Sequence, residues 1–181
     1  FYIVDDYSPI REYSRQIDGL PAHLFSVKST YQYILAAPEK TATGHNFFTS
    51  PNPPYGVKLS YYLGNSILSK FEERQNEESN KFNMGETIDY PTAKKLEDEA
   101  KEKTPKIYLT ISDSEGKVVR RISSNKNKGY HEKYWDLRTF TLRNIDDENN
   151  YSGPLVPPGK YSVHIEKFEN DKLEKLTDAY S

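Results

Sequence analysis

The chain has 181 residues, with 25 basic side chains against 27 acidic ones, a net charge of −2 and no cysteine. Near-neutral charge without a basic stripe argues against nucleic-acid binding, and the lack of cysteine removes disulfides and thiolate metal sites. Apolar residues are only 35%, and no apolar run approaches the roughly 18 residues that a membrane-spanning helix needs.

In chain order, the first pattern is β-like. Phe1-Tyr2-Ile3-Val4 reads as a strand stopped by Asp5-Asp6 and Ser8-Pro9. His23-Leu24-Phe25 and Tyr31-Gln32-Tyr33-Ile34-Leu35 read as two more short strands. This stretch is too sparse in apolar residues to close a core by itself, so it is expected to be an extended arm that packs on something else. Residues 36–56 are loop, ending in Ser50-Pro51-Asn52-Pro53-Pro54-Tyr55-Gly56. Its prolines fix φ and remove donors, giving a stiff boundary. The expected division is therefore an arm and linker over 1–50, followed by a sandwich over 51–181 with a helical insertion at about 66–104.

Val57 to Leu63 alternates and reads as the first sandwich strand. Ile67, Leu68 and Phe71 then fall at helical spacing. Pro91-Thr92 opens a second helical pattern whose strongest apolar residue is Leu96. Both helices are mostly polar and are expected on the surface. From Lys106 the period is two again, with Ile107, Leu109 and Ile111 on one face. Asp113-Ser114-Glu115-Gly116 is a hairpin turn, and Gly116 is the residue suited to positive φ. Lys117 to Ile122, Tyr130 to Leu137, Lys160 to Ile165 and Lys172 to Leu176 complete the strands. About seven short strands with Gly, Pro and Asp turns predict a mainly β, Ig-like or fibronectin-III-like sandwich carrying a helical insertion and an N-terminal arm. Trp135, the only tryptophan, is expected to plug the core. Asp136 is expected to accept backbone hydrogen bonds at the strand end, and Arg138 to pair with a carboxylate. Gly153-Pro154 and Pro157-Pro158-Gly159 are expected to shape the loop leading to Tyr161.

No pattern carries strong chemistry. The histidines at 23, 45, 131 and 164 lack the i, i+4 spacing of a helical zinc site. Asp5-Asp6 and Asp146-Asp147-Glu148-Asn149-Asn150 are oxygen-rich, but the second lacks the alternation and internal glycine of an EF-hand loop, so solvated loop tips are the expectation. With 27 acids, no pair stands out as the two carboxylates of a glycosidase. There is no G-x-S-x-G and no Gly-rich phosphate loop. Tyr61-Tyr62 and Tyr130, Tyr134 and Trp135 are candidates for a sugar-stacking face. Neighbouring strand residues point to opposite sides, however, so Tyr134 and Trp135 cannot share one surface. Neither a catalytic residue, a cofactor nor a metal is assigned.

The run Ile111-Ser112-Asp113-Ser114-Glu115-Gly116-Lys117-Val118-Val119-Arg120-Arg121, then Trp135-Asp136-Leu137-Arg138, then Gly153-Pro154-Leu155-Val156-Pro157-Pro158-Gly159-Lys160-Tyr161, resembles the Ig-like or fibronectin-III-like domain of the flagellar hook-capping type. A variant of that domain closes exported bacterial proteins built on a sortilin-like, BNR-repeat propeller, often labelled glycosyl hydrolase. Asn52-Pro53-Pro54-Tyr55-Gly56, Tyr90-Pro91-Thr92 and Val4-Asp5-Asp6-Tyr7-Ser8-Pro9-Ile10-Arg11-Glu12 are also similar to segments of that group. The resemblance implies an exported parent with a propeller upstream of Phe1, both ends of the chain being cuts. Any hydrolase activity would then belong to the propeller. The expected function is a non-catalytic accessory module that braces the propeller or mediates a protein interaction, with Phe1, Ile3, Leu24, Phe25 and Ile34 as its exposed docking patch. A carbohydrate-binding module is the alternative, with a glycan as partner; a small hydrolase is a third.

Overall fold

The computed structural model describes residues 6–33, 54–140 and 153–180. Seven strands form two antiparallel sheets that share one core. β1 (Ala22–Leu24), β2 (Val57–Leu63) and β5 (Gly129–Trp135) form the first sheet in the order β1-β2-β5. β3 (Lys106–Ser112), β4 (Val118–Ser124), β6 (Ser162–Glu169) and β7 (Lys172–Lys175) form the second, in the order β4-β3-β6-β7. The fold is the predicted Ig-like or fibronectin-III-like β-sandwich.

The alternation legible in the sequence builds that core. Leu59, Tyr61 and Leu63 project from β2, Ile107, Leu109 and Ile111 from β3, and Val163 and Ile165 from β6, and all are buried in one cluster with Trp135. Tyr61 is fully buried, and its hydroxyl donates to the Asn125 carbonyl at 2.8 Å and lies 2.8 Å from Ser124 Oγ. That satisfies the one polar atom the ring carries inside.

Turn chemistry closes the hairpins. Between β3 and β4, Gly116 sits at φ 80° and Asp113 Oδ1 accepts from the backbone N–H of Glu115 and Lys117 at 3.0 and 2.9 Å. Between β6 and β7, Asn170 and Asp171 take φ 51° and 60°, the two-residue geometry that matches strand twist and that Asn and Asp tolerate best.

The helical insertion falls between β2 and β3. Its two helices are α2 (Lys70–Met84) and α3 (Ala93–Lys101), and neither contains a buried residue. Ser69 caps α2 in a reciprocal box with Glu72, and Gly85 ends it at φ 73°. Arg74 joins the helices through a two-pronged pair with Glu99 at 2.7 and 3.0 Å. Lys126 reaches Glu72 at 2.5 Å, and Ile67 donates to the Lys126 carbonyl at 2.9 Å, fixing the insertion to the β4–β5 loop.

The N-terminal segment corrects an expectation. Residues 22–24 add the edge strand β1 to β2, with Leu24 opposite Tyr61. A short α1 (Ser8–Glu12) lies across it, and Glu12 accepts from Ser26 N at 2.8 Å and Ser26 Oγ at 2.5 Å, with His23 Nε2 at 3.2 Å. Leu24 and Phe25 were expected on an exposed docking patch. They are instead 7% and 2% exposed. Leu24 enters the main core, and Phe25, on the opposite face, packs against His23 and Tyr130 at ring distances of 4.9 and 5.8 Å. Leu24 and Phe25 are thus used by the chain's own sandwich. Phe1, Ile3 and Ile34 lie outside the described residues. Tyr31 to Tyr33, predicted as the start of a strand, are not in one.

Candidate functional site

A concavity opens at the end of the sandwich where β2 and β6 begin and β3 and β5 finish. It is a cleft of about 640 Å³ with Leu59, Ile111, Trp135 and Val163 as its floor. Residues 27–32 form one wall and residues 156–161 the other. Among the described residues, the lining is mainly aliphatic and aromatic, and its charged members are Lys28 and Lys160. Lys28 Nζ sits 2.7 Å from Asp6, while Lys160 is exposed.

The residues singled out from the sequence explain how this cleft keeps its shape. Trp135 is 3% exposed. Its indole N–H donates to the Arg138 carbonyl at 2.9 Å, and its ring meets Tyr161 edge-on at 5.3 Å. The Tyr161 hydroxyl donates to the Pro157 carbonyl at 2.6 Å, tying the proline loop to the floor. Burial raises the Tyr161 pKa, and the nearby Asp113 adds to the shift. Asp136 Oδ1 accepts from the backbone N–H of Arg138 at 3.2 Å, as expected, across Leu137, which is held at φ 58°. The carboxylate partner expected for Arg138 is replaced, among the described residues, by the Gly153 carbonyl, which accepts from its guanidinium at 3.0 Å. A Cβ at Gly153 would fall 2.5 Å from Thr139 Oγ1 and 2.7 Å from the Phe140 carbonyl, so this return loop needs glycine there. Gln32 Nε2 reaches across the cleft to the Val156 carbonyl at 3.3 Å.

Trp135, Gly159 and Tyr161 thus meet at the cleft, and Asp136 and Arg138 brace it from behind. Gly116 belongs to the β3–β4 hairpin and does not line it. Sequence reading missed Leu137, Val156 and the two lysines. An isolated valine between prolines and a lysine in a turn have no periodicity to mark them, and only the tertiary fold brings them together.

Away from the cleft, ionisable groups serve structure. On the outer face of the second sheet, Glu166 accepts from Thr110 Oγ1 and from Arg121 Nε (3.1 Å), with His164 Nε2 at 3.2 Å. Burial alone would raise the Glu166 pKa; the hydrogen bonds from Thr110, His164 and Arg121 outweigh it and hold the carboxyl below its usual range. Glu12 and Glu132 are held low in the same way, against the effect of burial, by Ser26 and His23 and by Lys58 and Tyr130 respectively. Asp6 is lowered to about 2, chiefly by Lys28 and Ser8. A glycosidase acid needs the opposite shift. Among the described residues, no group of three or more His, Cys, Asp or Glu is arranged to hold a metal ion. Among the described residues, no helix is long and apolar enough to cross a membrane. His45, Asp5 and the 146–150 cluster lie outside the described residues.

No protein-family profile matches the chain, and no characterised protein matches it in sequence. Among solved structures, the flagellar hook-capping protein FlgD from P. aeruginosa is similar over 39% of this chain and 46% of its own length, with 22% sequence identity and a TM-score of 0.29. The similarity therefore spans less than half of either protein, and at this level it carries no argument about function.

Proposed function

We propose that the chain is a non-catalytic accessory module that binds a polypeptide, and that the cleft beside Trp135 is its acceptor site. The observation that carries this reading is the cleft's lining: an apolar floor and walls whose charged members, among the described residues, are Lys160 and Lys28, the latter paired with Asp6. Such a surface suits apolar side chains flanked by a carboxylate. The site also has a fixed floor, since Trp135 and Tyr161 each have their polar atom bonded to backbone. A row of coplanar rings for stacking sugars is a different geometry from the edge-on Trp135–Tyr161 pair, which lies 70° from parallel. On the sequence resemblance alone, the same reading makes the module part of a larger exported protein, with an upstream propeller as one candidate partner.

Panning the 181-residue chain against a displayed random-peptide library tests this reading. Peptides combining apolar and acidic residues are the expected winners. Their binding is expected to fall at least tenfold with Pro158→Trp, which fills the mouth from an exposed position, and to weaken with Lys160→Glu. No enrichment, or enrichment unaffected by both substitutions, would overturn the proposal. Retention on a glycan array that Pro158→Trp abolishes would put the carbohydrate reading in its place.

A further inference from the structure

The opposite pole of the molecule carries the complement of this cleft. Strand β2 leaves the cleft at Val57 and Leu59 and ends at Leu63, roughly 20 Å away by strand rise, and there the insertion begins. At its tip every residue from Lys81 to Tyr90 is exposed. Phe82 and Met84 are each 74% exposed and Tyr90 88%. Ile88 folds back beside Phe82, both lining one shallow groove across Ser79. The charged residues of this stretch are Lys81, Glu86 and Asp89, two acids against one base, and none forms an ion pair among the described residues. Exposed apolar side chains at this density mark a contact surface rather than a solvated helix end.

We infer that the occupant of the cleft is the insertion tip of a second copy of this chain. Phe82 of one copy, with Ile88 beside it, enters between the 27–32 and 156–161 walls of the next. Glu86 and Asp89 then face Lys160, Lys28 being already paired with Asp6. The argument is complementarity on both counts: apolar knob to apolar cleft, and a tip with two acids to the exposed Lys160 on the cleft's rim. Knob and cleft lie on different surfaces of the chain, so the contact is heterologous and copies add head to tail. One knob in one cleft buries less than a standard interface, so the association is weak and concentration-dependent. It is also screened by salt.

This inference rests on the cleft being a polypeptide acceptor, and sedimentation velocity on mixed variants tests the two separately. The wild-type chain is expected to show a mass average that rises with concentration and falls with added salt. A knobless copy (Phe82→Ser with Ile88→Ser) and a blocked copy (Pro158→Trp) are each expected to stay monomeric, all three substitutions being at exposed positions. Mixed, the two are expected to form a dimer that stops at one of each, because each retains the half the other lacks. A wild-type chain monomeric at every concentration overturns the inference, as does a mixture that fails to pair. If the peptide panning succeeds while these copies stay apart, self-assembly falls and the acceptor reading stands.

Discussion

Gly56, the residue before β2, has φ 118°, and a Cβ there would lie 2.0 Å from the Trp135 carbonyl oxygen. Both the backbone conformation and the backbone contact exclude a side chain. Gly56→Ala is therefore expected to cost about 3 kcal/mol or more, read as a lower urea midpoint in Trp135 fluorescence. Glu166 makes a different kind of prediction. Its carboxyl is held below its ordinary value of 4.5 in the folded state. A depressed folded pKa contributes stability above the unfolded value, and that contribution is lost as pH falls through the folded value. Glu166→Gln should destabilise the chain by about 1–3 kcal/mol at pH 7. The difference from wild type should shrink as pH falls from 4.5 through the lower folded value, below which the wild-type carboxyl is neutral as well; urea titrations at pH 7 and across that range measure it. The tryptophan's role as a core plug was legible from its place at the end of an alternating strand. The arrangement around Glu166 was not, because Thr110, Arg121, His164 and Glu166 come from three strands and converge only through register.

The strands and the insertion show what local pattern does and does not specify. Period-two alternation located β2 and β3, since each has one face committed to the core. The insertion was legible because helix α2 carries its own start and stop, Ser69 with Glu72 and then Gly85. Its polarity forecast that it lies outside the core. Accordingly, replacing residues 69–103 by a short Gly-Ser turn is expected to change sandwich stability by no more than about 1 kcal/mol, with a single unfolding transition in fluorescence and circular dichroism. A large loss would show that the Lys126–Glu72 pair and the α2–α3 pairs brace the sheets. Exposed pairs of this kind usually contribute little. The cleft itself was less legible, because its walls are irregular segments whose residues follow no repeat.

For the whole molecule, the misread element was the arm. A short strand was legible at His23 to Phe25 and β1 spans Ala22 to Leu24, but nothing local reveals its pairing with a strand that starts at Val57. The fold settles it through long-range packing, with Leu24 against the shared core and Glu12 clamping Ser26. Leu24→Asp is expected to abolish cooperative folding or cost at least about 3 kcal/mol, since it buries an unpaired charge. Near wild-type stability, with faster amide exchange confined to residues before Tyr31, would restore the picture of a separable arm.

The exposed tip between α2 and α3 divides the chain unevenly with respect to its sheets. A nick after Lys81 would leave β1 and β2 on one piece and β3 to β7 on the other, although β5 must hydrogen-bond to β2. Each fragment then holds only part of the first sheet. The two are expected to copurify after trypsin treatment and, when expressed separately, to regain native fluorescence only on being mixed, so the tip is a natural place to split the protein into mutually dependent halves.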